Sequence, residues 1–169
     1  MKIQVGGLSD GVYFFSFGVD AATLGLDERF KDEIVAKARL EKSGSQFFLS
    51  TNIEAQGLFE CDRCLAPFLS RLAPSYRMYY VIEGSTDRNI DPAELQIVSP
   101  SFSVIDLCED VRQVVLLSVP LKLLCSEDCR GLCSQCGKNL NTGTCTCTNE
   151  SVDSRWEQLG KLKRQNFSH

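Results

Sequence analysis

Ile34-Val-Ala-Lys-Ala-Arg-Leu40-Glu-Lys-Ser-Gly44-Ser-Gln-Phe47-Phe-Leu-Ser-Thr51-Asn-Ile53-Glu-Ala55 sets the fold. Ile34, Ala36, Ala38 and Leu40 alternate with Val35, Lys37, Arg39 and Glu41. Beyond Lys42-Ser43-Gly44-Ser45, Phe47, Leu49, Thr51, Ile53 and Ala55 alternate with Phe48, Ser50, Asn52, Glu54 and Gln56. Side chains of a strand point to opposite faces in turn, so a period of two marks one apolar and one wetter face. Two such runs around a Gly- and Ser-containing turn predict a hairpin.

Further strands follow outward from it. Val12 to Val19 is aromatic and β-branched, and its dense apolar character predicts a largely buried strand. Phe68 to Ile82 carries Tyr76, Met78 and Tyr80, with Pro74 marking an edge or a break. Glu83 to Pro92 is polar and acidic, a solvated loop, and Leu95 to Val98 adds a short strand. The period then changes. Ile105, Cys108, Val111 and Val115 stand at helical spacing, with Ser103 available as N-cap and Pro120 as terminator. These signals predict an α+β fold, with an antiparallel sheet or small barrel covered by a helix at about 104–118. Residues 1–120 form this mainly β domain, and residues 121–169 a small Cys-rich zinc module with a short C-terminal helix. That last helix starts near Asp153 or Ser154, puts Trp156, Leu159 and Leu162 on one face, and gathers Lys161, Lys163 and Arg164 at its end.

The chemistry lies in the cysteines. Six of nine fall in one stretch: Cys125, Cys129, Cys133, Cys136, Cys145 and Cys147. Zinc takes four soft or borderline ligands, and two tight Cys pairs supply them from short turns. Gly137 directly follows Cys133-Ser-Gln-Cys136 and tolerates the positive φ that a turn around a metal needs. Cys133, Cys136, Cys145 and Cys147 form the first-choice set, C-x2-C-x8-C-x-C. Cys125 and Cys129 replace one of these pairs, or complete a site with Cys61-Asp-Arg-Cys64 where the fold brings them together. Eight thiols also suffice for two zinc ions.

Two ordinary alternatives compete. Disulfides need an oxidising compartment, whereas the first residues, Met-Lys-Ile-Gln-Val-Gly-Gly-Leu, hold no apolar signal core, and nine thiols cannot all pair. A free buried thiol suits Cys108, which lies in an apolar, helix-like stretch. It does not suit cysteines set among Ser, Gln, Thr and Asp. The expected compartment is therefore the reduced cytoplasm.

Composition narrows the rest. Hydrophobic content of 43% and charged content of 24% belong to a folded chain, and no apolar run approaches the roughly 20 residues that span a bilayer. A net charge of −4 argues against wholesale nonspecific nucleic-acid binding and leaves room for a local basic patch, for which Lys122, Arg130 and Lys138 are candidates. The only histidine is His169, so Ser-His and Cys-His nucleophile pairs are not available. Nucleotide-binding glycine loops are missing too. An all-cysteine metal site is closed and structural, so no catalytic or cofactor-binding residue is expected and the protein is read as a non-enzyme. The enzymatic alternative uses Cys61-Asp-Arg-Cys64 as a redox pair, with Arg63 lowering a thiol pKa. A zinc-ribbon adaptor for another protein is a third possibility. The Phe and Tyr residues lie in strands, where core packing is their expected use, so no base-stacking platform is read.

One ordered set of motifs resembles a known family. Cys61-Asp-Arg-Cys64-Leu-Ala-Pro-Phe68 is followed by the apolar helix running into Val119-Pro120-Leu. Cys125-Ser-Glu-Asp-Cys129-Arg-Gly-Leu-Cys133-Ser-Gln-Cys136-Gly-Lys-Asn-Leu-Asn141 comes next, and then Asp153-Ser-Arg-Trp156. This resembles the YceD family of large ribosomal RNA subunit accumulation proteins. The resemblance implies a non-enzymatic ribosome-biogenesis factor needed for 23S rRNA accumulation or processing. Its partners would be 23S rRNA or a large-subunit precursor, reached directly or through a ribosome-associated protein, with no membrane and no small-molecule substrate. Family members do not all keep the cysteine cluster, so the resemblance puts the shared function outside the metal.

Overall fold

The structure, a computed structural model, describes residues 1–83 and 91–147. The expected hairpin is its centre. β3 (Glu33–Ser43) and β4 (Gln46–Glu60) pair antiparallel from Val35↔Glu54 to Ser43↔Gln46, turning at Gly44 with φ +55°. Ile34, Ala36, Ala38 and Leu40 of β3 and Phe47, Leu49, Thr51, Ile53, Ala55 and Phe59 of β4 are all buried, as the alternation requires.

β4 is long enough to take two partners in turn on its other edge. Its first half pairs with β6 (Ser75–Ile82) and its second half with β5 (Pro67–Leu72). The two partners separate at Ala73-Pro74, where the Pro74 carbonyl accepts from the Ile53 amide at 2.9 Å. β2 (Gly11–Asp20) closes one end of the sheet and β7 (Leu95–Val98) the other, in the order β2-β3-β4-β6-β7 with β5 beside β4. Of the two arrangements expected, the open sheet is the one formed. It is mixed, because β7 runs parallel to β6 after the Pro92–Glu94 3-10 turn.

Three local expectations need correction. β2 is an edge strand and not a largely buried one. Tyr13, Phe15, Phe17 and Val19 are half-buried on the core side, while Phe14 is 75% exposed on the other. A dense apolar run does not reveal whether a sheet continues past it. The helix, α1 (Cys108–Leu117), starts later than periodicity indicates, because Val104–Asp106 is a strand (β8) paired with β1 (Lys2–Gln4). Ser103 therefore does not cap it. The helix enters through Leu107, and the Asp106 carboxylate accepts from the Cys108 amide at 3.0 Å. Glu109 and Asp110 add favourable charge to the first turn. Cys108 is half-buried, and the Met1 amino group donates to its Sγ.

The core lies between the inner sheet face and a cover made of α1 and the β1–β8 ribbon, with Ile3, Ile105, Leu107, Val111 and Val115 almost fully buried. The outer face is wetter. On it Lys37 pairs with Glu54, Arg39 with Glu41, and Arg77 with Glu94. The C-terminal helix expected near Asp153, with Lys161, Lys163 and Arg164, lies outside the described residues, as does most of the expected loop after Glu83.

Gly57 marks a tight place in this core. A Cβ there would stand 2.6 Å from the Phe59 ring, which meets Phe30 edge-on at 6.0 Å and Phe68 at 6.4 Å between ring centroids. Gly57→Ala is expected to destabilise the fold by about 1–3 kcal/mol through overpacking, read as a lower urea midpoint at unchanged m-value.

Candidate metal centres

Two groups of four thiols form, and each builds on the same turn. Cys61-Asp-Arg-Cys64 lies between β4 and β5. The Leu65 amide donates to the Cys61 carbonyl at 2.9 Å, and the Cys61 amide to the Ala66 carbonyl at 3.0 Å. Cys133-Ser-Gln-Cys136 repeats the pattern, with Gly137 N–H to the Cys133 carbonyl at 2.9 Å and Cys133 N–H to the Lys138 carbonyl at 2.9 Å. Both turns need a left-handed residue after the second cysteine. Gly137 meets this with φ +71°, whereas Leu65 adopts φ +57° despite its side chain.

The first group joins Cys61 and Cys64 to Cys125 and Cys129 from the segment after α1. Its Cys61, Cys64 and Cys129 are 0%, 5% and 4% exposed. The Cys61 and Cys129 sulfurs are 3.8 Å apart, and those of Cys64 and Cys125 3.6 Å. A disulfide would need about 2.05 Å. Four sulfurs bound tetrahedrally at zinc–sulfur distances near 2.3 Å stand about 3.8 Å from one another. The second group joins Cys133 and Cys136 to Cys145 and Cys147. In each group all four sulfurs lie within 4.8 Å of one another, and all nine cysteines are free of disulfides. The quartets therefore fit a closed, tetrahedral metal ion, with every position filled by protein.

The two residues between Cys61 and Cys64 fasten the first centre. Asp62 N–H donates to the Leu123 carbonyl at 2.8 Å, and its carboxylate accepts from Leu123 N–H at 2.6 Å. The Arg63 guanidinium donates to the carbonyls of Cys129 at 2.9 Å and Glu127 at 3.3 Å. Gly131 passes so close that a Cβ there would stand 3.0 Å from the Arg63 carbonyl, which accepts from Leu132 N–H at 3.1 Å. Arg63 thus holds the ligand loop in place. Its guanidinium is engaged by the Cys129 and Glu127 carbonyls, and the Cys61–Cys64 pair considered for redox chemistry faces two further thiols.

Electrostatics divides each quartet. Burial opposes ionisation of Cys61, yet backbone amides of Cys125, Arg63 and Cys64 bring its thiol down to about 6. Burial likewise opposes ionisation of Cys129, and the Asn141 amide and Gly131 N–H outweigh it, so that thiol is lowered too. Cys125 is pushed up to about 12, first by hydrogen bonding with the neighbouring Cys64 sulfur and then by burial. In the second quartet, amides of Cys136 and Gln135 bring Cys133 down to about 6, while contact with the Cys136 sulfur raises Cys147 to about 12. Four thiolates this close repel one another, so the full set ionises only around a cation.

The sequence-stretch candidates Cys125, Cys129, Cys133, Cys136, Cys145 and Cys147 all fall in these groups. Cys133, Cys136, Cys145 and Cys147 come together as one set, and Cys61 and Cys64 complete the other. The signal for that completion is the shared C-x2-C spacing at 61 and 133. Asp62, Arg63 and Asn141 carry no comparable signal.

Comparison with known proteins agrees with the motifs. The family model described as "Large ribosomal RNA subunit accumulation protein YceD" matches residues 49–163, more than half of the chain and all eight grouped cysteines. The chain belongs to the YceD family. It is 35% identical over 66 residues to the "Large ribosomal RNA subunit accumulation protein YCED homolog 1, chloroplastic" of Arabidopsis thaliana, covering 39% of this chain and 21% of that one. To the protein of the same name in Zea mays it is 41% identical over 78 residues, 46% of this chain and 27% of that one. An uncharacterized Mycobacterium bovis protein is 29% identical over 125 residues, 73% of this chain and 59% of its own. The chain thus spans from about a fifth to three fifths of these relatives' lengths. No solved structure matches it.

Metal uptake at these centres should release protons. Between about pH 6 and 12, Cys61 and Cys133 are ionised while Cys125 and Cys147 still hold protons that an ion must displace. Affinity is therefore expected to rise with pH in this window and to fall away below about 6. Calorimetric titrations in buffers of different ionisation enthalpy measure the release, and identical heats in all of them would contradict it.

Proposed function

We propose that this chain is a non-enzymatic, zinc-stabilised factor in ribosome biogenesis, which supports accumulation or processing of 23S rRNA and assembly of the large subunit in the cytoplasm. One observation carries the reading: the match to the YceD family model, whose described role is large ribosomal RNA subunit accumulation, spans both cysteine quartets. All-thiolate sets of this spacing suit zinc held structurally, with Cys61, Cys64, Cys125 and Cys129 on one ion and Cys133, Cys136, Cys145 and Cys147 on the other. Residues 1–120 act as the strand domain, residues 121–169 as the metal module, and Cys61 and Cys64 fasten one to the other.

Action by binding fits the charge distribution. Lys37, Arg39 and Arg77 on the outer sheet face are paired with glutamates. Among the described residues Lys122 and Arg130 are exposed and take part in no ion pair, while Lys138 is tied to the Thr144 carbonyl at 2.8 Å. Free cations on a rigid module suit phosphate contact with rRNA or a subunit precursor. Also among the described residues, no helix is long and apolar enough to cross a membrane.

Two measurements test this reading. Native mass spectrometry is expected to find two zinc ions per chain, and one after either Cys64→Ser or Cys136→Ser; none in the wild type would end the metal reading. Depletion in cells is expected to reduce 23S rRNA and large-subunit particles while the 16S rRNA level holds. An unchanged particle profile would remove the ribosomal role. If the module's cations contact phosphate, Lys122→Glu with Arg130→Glu should lower RNA affinity and flatten its salt dependence by about one counterion per lost contact.

A further inference from the structure

Only three residues, Arg130, Gly131 and Leu132, separate the last ligand of the first quartet, Cys129, from the first ligand of the second, Cys133, and they do not run as a loose link. Leu132 pairs antiparallel with Asn139, and Leu140 N–H donates to the Gly131 carbonyl at 2.9 Å. Between them these contacts fold the loop after Cys136 back over the first centre. At its tip stands Asn141. Its side-chain amide donates to the Cys129 sulfur at 3.3 Å and to the Asn139 side-chain oxygen at 2.9 Å, while its own oxygen accepts from the Arg130 amide at 2.8 Å. The loop that bears it runs between two ligands of the second quartet, Cys136 and Cys145.

On the metal reading proposed above, we infer that Asn141 is a positioning residue for the first centre, presented by the second, so that the two centres bind metal cooperatively. Three facts carry this. The amide meets a ligand sulfur whose other neighbours are the Gly131 N–H and the quartet's own thiols, so among the described residues its N–H is the hydrogen bond to Cys129 that depends on the second loop. The Asn139–Asn141 turn is built from the loop's own side chains and has no buried apolar residue beneath it. The residues from Gly137 to Cys147 are exposed or half-buried, and that segment has too little core to hold its shape without an ion at Cys133, Cys136, Cys145 and Cys147. An empty second centre therefore releases the loop, withdraws the amide from Cys129 and loosens the first ion. The buried first centre in turn anchors the ribbon from which the second is built.

The isosteric change separates this role from a merely structural one. Asn141→Asp keeps the oxygen that accepts from Arg130 N–H but removes the N–H donor and sets a carboxylate against a thiolate. The probe is zinc alone, on the full chain. Cysteine alkylation is followed in the presence of a chelator, and peptide mapping reports Cys61, Cys64, Cys125 and Cys129 separately from the other four. Asn141→Asp is expected to weaken zinc at the first four by about 10–100-fold, the range typical of residues that orient metal ligands. Cys145→Ser, which empties the second centre and leaves Asn141 intact, should loosen the same four in the same direction. Unchanged protection of the first four in both variants would overturn the coupling while leaving the metal reading in place. A wild type that binds no zinc overturns both.

Discussion

The constraint on which the rest depends is the meeting of two distant segments at one cluster of sulfur atoms. Cys64 and Cys125 are 61 positions apart in the chain, and Cys61 and Cys129 are 68 apart, yet their sulfurs are close enough to share an ion. Closing a loop of that length is costly in the unfolded ensemble; by the chain-entropy model a covalent link across it is worth on the order of 4 kcal/mol. A metal at this point would do similar work, fixing the turn between β4 and β5 against the segment leaving α1. Hydrogen bonds from Asp62 and Arg63 join the same two segments.

How much of this was legible in the sequence follows from the range of each signal. The β3–β4 hairpin was readable because alternation and turn residues are local, and a one-residue slip would have sent Lys37 and Arg39 into the core. The edge position of β2 was not readable, since edge and centre depend on what pairs next, not on the strand itself. The helix start was misplaced for a related reason. Ile105 points to the core from a strand that pairs with the first residues of the chain, and its burial mimics the first position of a helical stripe. For the metal, spacing singled out the second quartet and offered Cys61 and Cys64 as one of the ways to complete a site with Cys125 and Cys129. It could not choose among those ways, because that meeting arises only through the sheet.

The two C-x2-C turns also show how one geometry is met by two chemistries. Gly137 takes the left-handed conformation freely, whereas Leu65 takes it against a steric penalty of about 1–2 kcal/mol. A turn held on both sides by strands and clamped by Asp62 and Arg63 can sustain that penalty. A turn on an exposed module without a core cannot, and there glycine stands. The difference reflects how much each turn is supported by its surroundings, which matches the burial of the first centre and the exposure of the second.

That asymmetry bears on where function can reside. The sheet and its cover share one core built around β3 and β4, and on the outer face Lys37 and Arg39 are paired with glutamates. The segment after α1 has little core, and it is there that Lys122 and Arg130 stand outside any ion pair among the described residues. Rigid placement of a few cations is worth more for recognition than a larger number on mobile chains, because less side-chain and loop entropy is lost on binding. An ion held by each quartet would give this short polar segment a fixed shape, framed by the turn between β4 and β5.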